Sequence, residues 1–225
     1  MGSILNITFF VSLFAGMIRL ATPILLPALG QIYTQRAGIL NLGVEGTMLM
    51  GAICGFIGAC VTQNLWFGFL CGILAGMIYS LIMAWLSITM RANQVIAGIG
   101  MNILASGLAS YIYRLVFGIR ALPAKITSFQ SLKIPVLGDI PYIGTIFFQH
   151  NILVYLTFIL VPVTWFILER TTYGLKIKAV GENPRAADSK GIDVARIRYS
   201  AVLVGGAYAG AGGAFMTIAY LNTFT

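Results

Sequence analysis

Charge is what this sequence has least of. Its 225 residues carry 14 basic and 6 acidic side chains, 9% in all, where soluble domains carry about 25%. With 59% hydrophobic residues and a mean hydropathy of +0.91, a water-soluble globule is excluded. Histidine occurs once, at His150. No Ser or Cys accompanies it, and there is neither a His-Glu-x-x-His run nor a Gly-rich phosphate loop ending in Gly-Lys-Ser/Thr. A membrane enzyme would need convergent catalytic groups, and none is visible. The three cysteines, Cys54, Cys60 and Cys71, lie in apolar runs without metal-ligand spacing; they read as small buried hydrophobes. No metal or cofactor is expected. The N-terminus lacks a basic n-region and a small-residue cleavage site, so the first apolar run reads as a retained span.

Apolar runs long enough to cross a bilayer are what the chain has instead. A helix needs about 20 such residues, and six runs qualify: 7–33, 39–62, 65–90, 94–117, 150–168 and 199–221. The expected fold is an all-α polytopic membrane protein of about six transmembrane helices, with 1–225 a single transmembrane domain. Glycine is abundant, 26 of 225, and small residues let membrane helices approach closely. Gly51 and Gly55, and Gly68, Gly72 and Gly76, form smooth stripes read as contacts within one subunit. Pro23, Pro27 and Pro162 are expected to bend the first and fifth spans.

The charge is concentrated. Residues 169–199 hold 11 of the 20 charged side chains, seven of them basic. By the bias of Lys and Arg this segment lies in the cytoplasm. Arg36 and Arg91 then fall in cytoplasmic links, the N-terminus lies outside, and 118–149 is an extracytoplasmic loop. Pro123, Pro135 and Pro141 make that loop extended. The net charge of +8 is no nucleic-acid signature; membrane lipid or a partner protein accounts for it better.

Within the island the spacing predicts a short helix with both ends marked. Asn183 is the N-cap, Pro184 the first helical position, and Gly191 the left-handed residue that ends it. Ala186 and Ala187 give it a small face. Asp193 then caps the helix that enters the last span. Such an element can transmit a push, whereas a plain solvated loop would only link two spans.

Three segments carry a resemblance. The run Arg170–Lys176, continued by Ala179-Val180-Gly181-Glu182-Asn183-Pro184 and Ala186-Ala187, resembles the cytoplasmic coupling segment of ATP-binding-cassette importer permeases. Leu20–Pro23 with Arg36–Gly46, and Ala92–Ile99 with Asn102, match the same group. The resemblance is to the permeases for branched-chain amino acids, simple sugars and nucleosides, most closely the nucleoside type. It implies part of a type II importer permease working with cytoplasmic ABC ATPase subunits, a second permease subunit and an extracytoplasmic substrate-binding protein. ATP hydrolysis is then expected on a separate chain. Family members continue past the segment resembling residues 219–225, so a C-terminally truncated member is expected. Glu182, Asn183, Pro184, Ala186, Ala187 and Gly191 are the candidate ATPase-coupling residues.

Arg19 and Glu45 are ionisable groups inside spans, where such groups mark function by default. Glu45 follows Asn41 in a glycine-flanked stretch open to loose winding, the setting in which transporters build sites. It either lines the solute path or has a structural part, such as capping a broken helix or pairing with Arg19. Asn41, Asn93, Gln94 and Asn102 complete the candidate path. Their amides can bond a ribose or base, or equally a neighbouring helix, the latter being favoured for Asn102. The reading is an importer permease for a small polar solute, a nucleoside first, a simple sugar or branched-chain amino acid as alternatives. An ATP-independent carrier or channel is the rival from another class.

Overall fold

The computed structural model of the chain describes residues 7–118, 131–133, 144, 147–221 and 223–224. The described elements are α1 (Ile7–Arg36), α2 (Val44–Thr62), α3 (Leu65–Ala84, continued as a π-helical stretch Trp85–Thr89), α4 (Gln94–Phe117), β1 (Ser131–Lys133), β2 (Gln149–Asn151), α5 (Ile152–Arg170), α6 (Thr172–Glu182), α7 (Pro184–Ser189) and α8 (Val194–Phe215, continued as π-helix over Met216–Leu221). Among the described residues, six helical spans are long and apolar enough to cross a membrane. The chain is an all-α, multi-pass membrane protein.

α1 and α3 run opposite to α2, α4 and α8. Asn64 and Asn93 accept hydrogen bonds from the first backbone N–H groups of α3 and α4, and so fix where each helix starts. The two tight links each contain one residue in the left-handed region, Gln63 (φ 53°) and Arg91 (φ 52°). α6 and α7 sit at one end, the polar end. β1 and β2 pair antiparallel at the other, with Leu132 opposite His150. Of the loop expected to be extended, this ribbon is extended, whereas Gly144 and Phe147 are helical, with the Phe148 N–H donating to the Gly144 carbonyl at 2.9 Å. Arg120, Pro123, Lys125, Pro135, Asp139 and Pro141 lie outside the described residues.

α8 is the axis of the bundle: 72% of its most apolar window is buried, against 22% for α1 and α4. Glycines make this possible. A Cβ on Gly51 would lie 2.5 Å from Gly210 Cα, and one on Gly30 would lie 2.7 Å from the Gly205 carbonyl oxygen. Gly68 meets Gly55 and Ala59, Gly72 meets Gly51 and Ala214, and Gly76 meets Gly206 and Gly210. The predicted stripes are therefore contacts within one subunit. α1 is continuous through Pro23 and Pro27, and α5 through Pro162. Pro27 has no N–H for the Pro23 carbonyl, and Gly212 of α8 packs against that carbonyl and the Pro27 ring.

Several boundaries differ from the sequence reading. α2 begins at Val44, not at 39, because residues 39–43 run without helix. The fifth span begins at Ile152, after a strand, and the sixth extends back to Val194 under the Asp193 cap, whose side chain accepts from the Arg196 N–H at 3.0 Å. α6 is an element the sequence reading did not include.

Candidate functional site

The polar end is built from α6, α7 and the adjoining helix ends. Thr171 alone separates α5 from α6; its hydroxyl accepts from the Gly174 N–H at 3.2 Å. Gly174 lies so close to the Ile167 and Leu168 carbonyls that a side chain there would collide. Gly174, Ile177 and Val180 form the buried face of α6. Ile177 packs in a cluster with Tyr33, Ala37, Leu168 and Ala201, joining α1, α5 and α8. Lys178 pairs with Glu169 at 2.6 Å, Tyr173 donates to the Ser200 hydroxyl at 2.9 Å, and Arg198 donates to the Ala37 carbonyl at 3.3 Å. Gly181 abuts the Arg36 carbonyl. α6 is thereby bound to three spans at once.

α7 has the ends the sequence marks. Asn183 accepts from the Ala186 N–H at 3.1 Å, Pro184 is its first residue, and Gly191 takes φ 78° while donating to the Asp188 carbonyl at 2.8 Å. The two alanines part company. Ala187 is only 4% exposed, packed inward, whereas Ala186 faces out with Arg185, Asp188, Ser189 and Lys190. A concavity of about 300 Å³ lies beside it, bordered by Ala179, Glu182, Asn183, Ala186, Lys190 and Ile192, and Ala187 also contributes to its wall.

The second constellation surrounds residues 39–46. Gly51 of α2 touches Gly210 of the parallel α8, so at 1.5 Å per residue Glu45 sits roughly 15 Å beyond the start of α8 and roughly 6 Å beyond Ser200, where its apolar run begins. Residues 39–43 therefore enter the bundle from its polar end as irregular backbone, with Ile39, Asn41 and Gly43 buried and Leu40 and Leu42 exposed. Inside hydrocarbon such backbone is tolerated only when its peptide groups are satisfied. Amides supply the partners. Gln94 Oε1 accepts the Leu40 N–H at 2.7 Å, and Gln31 Nε2 donates to the Asn41 carbonyl at 2.5 Å. Asn41 Oδ1 accepts the Gly43 N–H at 3.0 Å. Asn102 uses both ends of its amide, Nδ2 to the Leu42 carbonyl at 3.1 Å and Oδ1 from the Gly46 N–H at 2.8 Å. Asn93 is the α4 cap. These side chains clamp backbone, and Gln31 joins them unforeseen.

Glu45 stands apart from the clamp. It lies in the first turn of α2, exposed, lining a cleft of about 320 Å³ between α2 and the π-helical end of α8. Arg19 is not its partner. Arg19 lies some 11 residues before Gly30, roughly 18 Å further toward the ribbon end along the bundle than Glu45, and its Nε donates to His150 Nδ1 at 3.5 Å. The opposed directions of α1 and α2 carry the two residues apart.

The family described as "Branched-chain amino acid transport system / permease component" matches residues 13–224. The chain belongs to this permease family. Among its relatives, a putative glucose ABC transporter permease protein, TsgC13 of Haloferax volcanii, is 41% identical over 95% of this permease and 64% of its own length. The guanosine ABC transporter permease protein NupQ of Bacillus subtilis is 41% identical over 86% of this permease and 63% of its own. The nucleoside ABC transporter permease protein NupC of Lactococcus lactis is 31% identical, with 94% and 68% covered. The permease thus spans a little under two thirds of the length of the first two. No solved structure matches it significantly.

Proposed function

We propose that this chain is the membrane-spanning permease part of an ATP-binding-cassette importer for a nucleoside, with the polar end in the cytoplasm of a cell whose inner, or plasma, membrane it spans. The observation that carries the reading is α7, a capped helix presented outward on a platform bonded to α1, α5 and α8. A secondary carrier has no ATPase to engage and no use for such a part. Seven basic residues over 169–199 favour the cytoplasmic side. Ala186, Glu182, Asn183, Pro184 and Gly191 form the face or frame of the docking element, with Ala187 holding it from within. ATP hydrolysis then resides on separate cytoplasmic subunits, and a second permease subunit and an extracytoplasmic binding protein complete the machine.

Relatives named for guanosine and nucleosides, together with one named for glucose, support a solute carrying neighbouring hydroxyls on a sugar ring. A simple sugar is the second reading, and a branched-chain amino acid lacks that feature. Uptake of labelled guanosine, glucose and leucine by a strain deleted for the importer and complemented with it separates them. Guanosine uptake that depends on the permease and on ATP is the expected result; leucine uptake alone would refute the solute assignment.

A further inference from the structure

We propose that the cleft between α2 and the π-helical end of α8 holds the transported solute, and that Glu45 selects solutes bearing a vicinal diol. The inference rests on the importer reading above. Glu45 lines the cleft together with Met48, Ala52, Met216, Thr217 and Phe224. Its volume of about 320 Å³ lies within the range of small-molecule sites, roughly 300–1,000 Å³.

The carboxyl group has no hydrogen-bond or ion-pair partner among the described residues, whereas the carboxylates of Glu169 and Asp193 are paired with Lys178 and Arg196. Ionisable groups within spans face a water-filled cavity or a ligand path rather than lipid, and Glu45 lines the cleft. The other polar candidates nearby are engaged. Asn41 and Asn102 bond the backbone of residues 42–46, and the Thr217 hydroxyl donates to the Ala52 carbonyl at 3.1 Å. Recognition of polar groups in the cleft therefore falls chiefly to Glu45, with the Thr223 hydroxyl, 3.5 Å from the Leu221 carbonyl, the remaining polar group on its wall.

A carboxylate is an acceptor through two oxygens. Each can take one O–H, so hydroxyls on adjacent carbons satisfy both together. An isolated hydroxyl satisfies one. The rest of the lining suits a flat, weakly polar ring: Met48 and Met216 are adaptable, and Phe224 is held by stacking on Tyr113, with centroids 5.6 Å apart. The arrangement fits a ribonucleoside with its diol on Glu45 and its base among the apolar walls.

The test measures uptake of guanosine and 2′,3′-dideoxyguanosine into vesicles carrying the complete importer, with permease abundance quantified. The wild type should favour guanosine by about tenfold or more, as sites built to bind a hydroxyl reject its absence. Glu45→Gln should remove most of that preference by slowing guanosine alone. Met216→Trp, which fills the cleft without altering Glu45, should abolish uptake of both. Equal slowing of both solutes by Glu45→Gln, an unchanged preference, or undiminished uptake by Met216→Trp would overturn the proposal while leaving guanosine import by the wild type standing. Absence of that wild-type import would overturn the importer reading as well.

Discussion

At the scale of single residues, space and hydrogen bonding make separable demands. Gly51 faces Gly210 with no room for a methyl group, while Gly100 has nothing within 4 Å of where a Cβ would stand. Gly51→Ala should cost about 1–3 kcal/mol through overpacking, and Gly100→Ala should be neutral or slightly stabilising; thermal unfolding of the two variants in the same detergent checks the contrast. Asn102→Ala removes both partners it gives to Leu42 and Gly46. Leaving such groups unsatisfied costs about 1–3 kcal/mol each. Amide exchange should accelerate across residues 40–46 in that variant, and not in Asn93→Ala, whose effect should stay in the first turn of α4. The caps Asn183 and Asp193 and the left-handed Gly191 were legible in the sequence because their partners lie within three residues of them. For Asn102 a bond to a neighbouring helix was the favoured reading and is what it makes. Its particular partners, and the role of Gln94, were not legible: the bonded groups lie 54 to 60 residues away, and an amide does not reveal in sequence whether it meets solute or backbone.

At the scale of elements, α7 separates an outward alanine from an inward one. If α7 docks on an ATPase as proposed, Ala186→Trp should leave the permease folded and abolish that association. Ala187→Trp should destabilise the permease itself, at about 1–3 kcal/mol, because this residue is buried in its own chain. Pull-down of the ATPase set beside the melting temperature of the isolated permease distinguishes them; a swapped pattern would contradict the placement of both residues. α6 escaped the sequence reading because its first turn, Thr172-Tyr173-Gly174, is a poor helix former and its buried stripe of Gly174, Ile177 and Val180 is short. The Thr171 cap was the available signal. The break before α2 was foreshadowed by Gly43 and Gly46, although its extent depends on Gln31 and Asn102, which come from other helices.

At the scale of the whole molecule, the spans were legible from length and hydropathy, and their alternating direction from short links. The centrality of α8 was hidden, since its hydropathy of 1.5 is the lowest of the six. A helix encircled by others meets no lipid and can consist largely of glycine and alanine. The proposed orientation makes a direct prediction. A cysteine at Ser189 should react with a membrane-impermeant thiol reagent only in opened cells, and one at Ser131 in intact spheroplasts. Reaction of both in intact cells would reverse the assignment of the polar end.

The glycine surfaces around α8 have a mechanical consequence. Interlocking side chains give most packed helices discrete resting positions, and leaving one means lifting every knob from its hole. Where Gly205, Gly206, Gly210 and Gly213 meet neighbouring backbone, few knobs exist. Resistance to sliding is then concentrated in side-chain bonds: Thr217 on the Ala52 carbonyl toward one end, Tyr208 on the Thr164 hydroxyl between, and Arg198, Tyr199 and Ser200 on Ala37, Thr89 and Tyr173 toward the other. α8 is in effect a greased shaft latched toward its ends, and the latches beside α6 are the ones that a displacement of α7 would reach first.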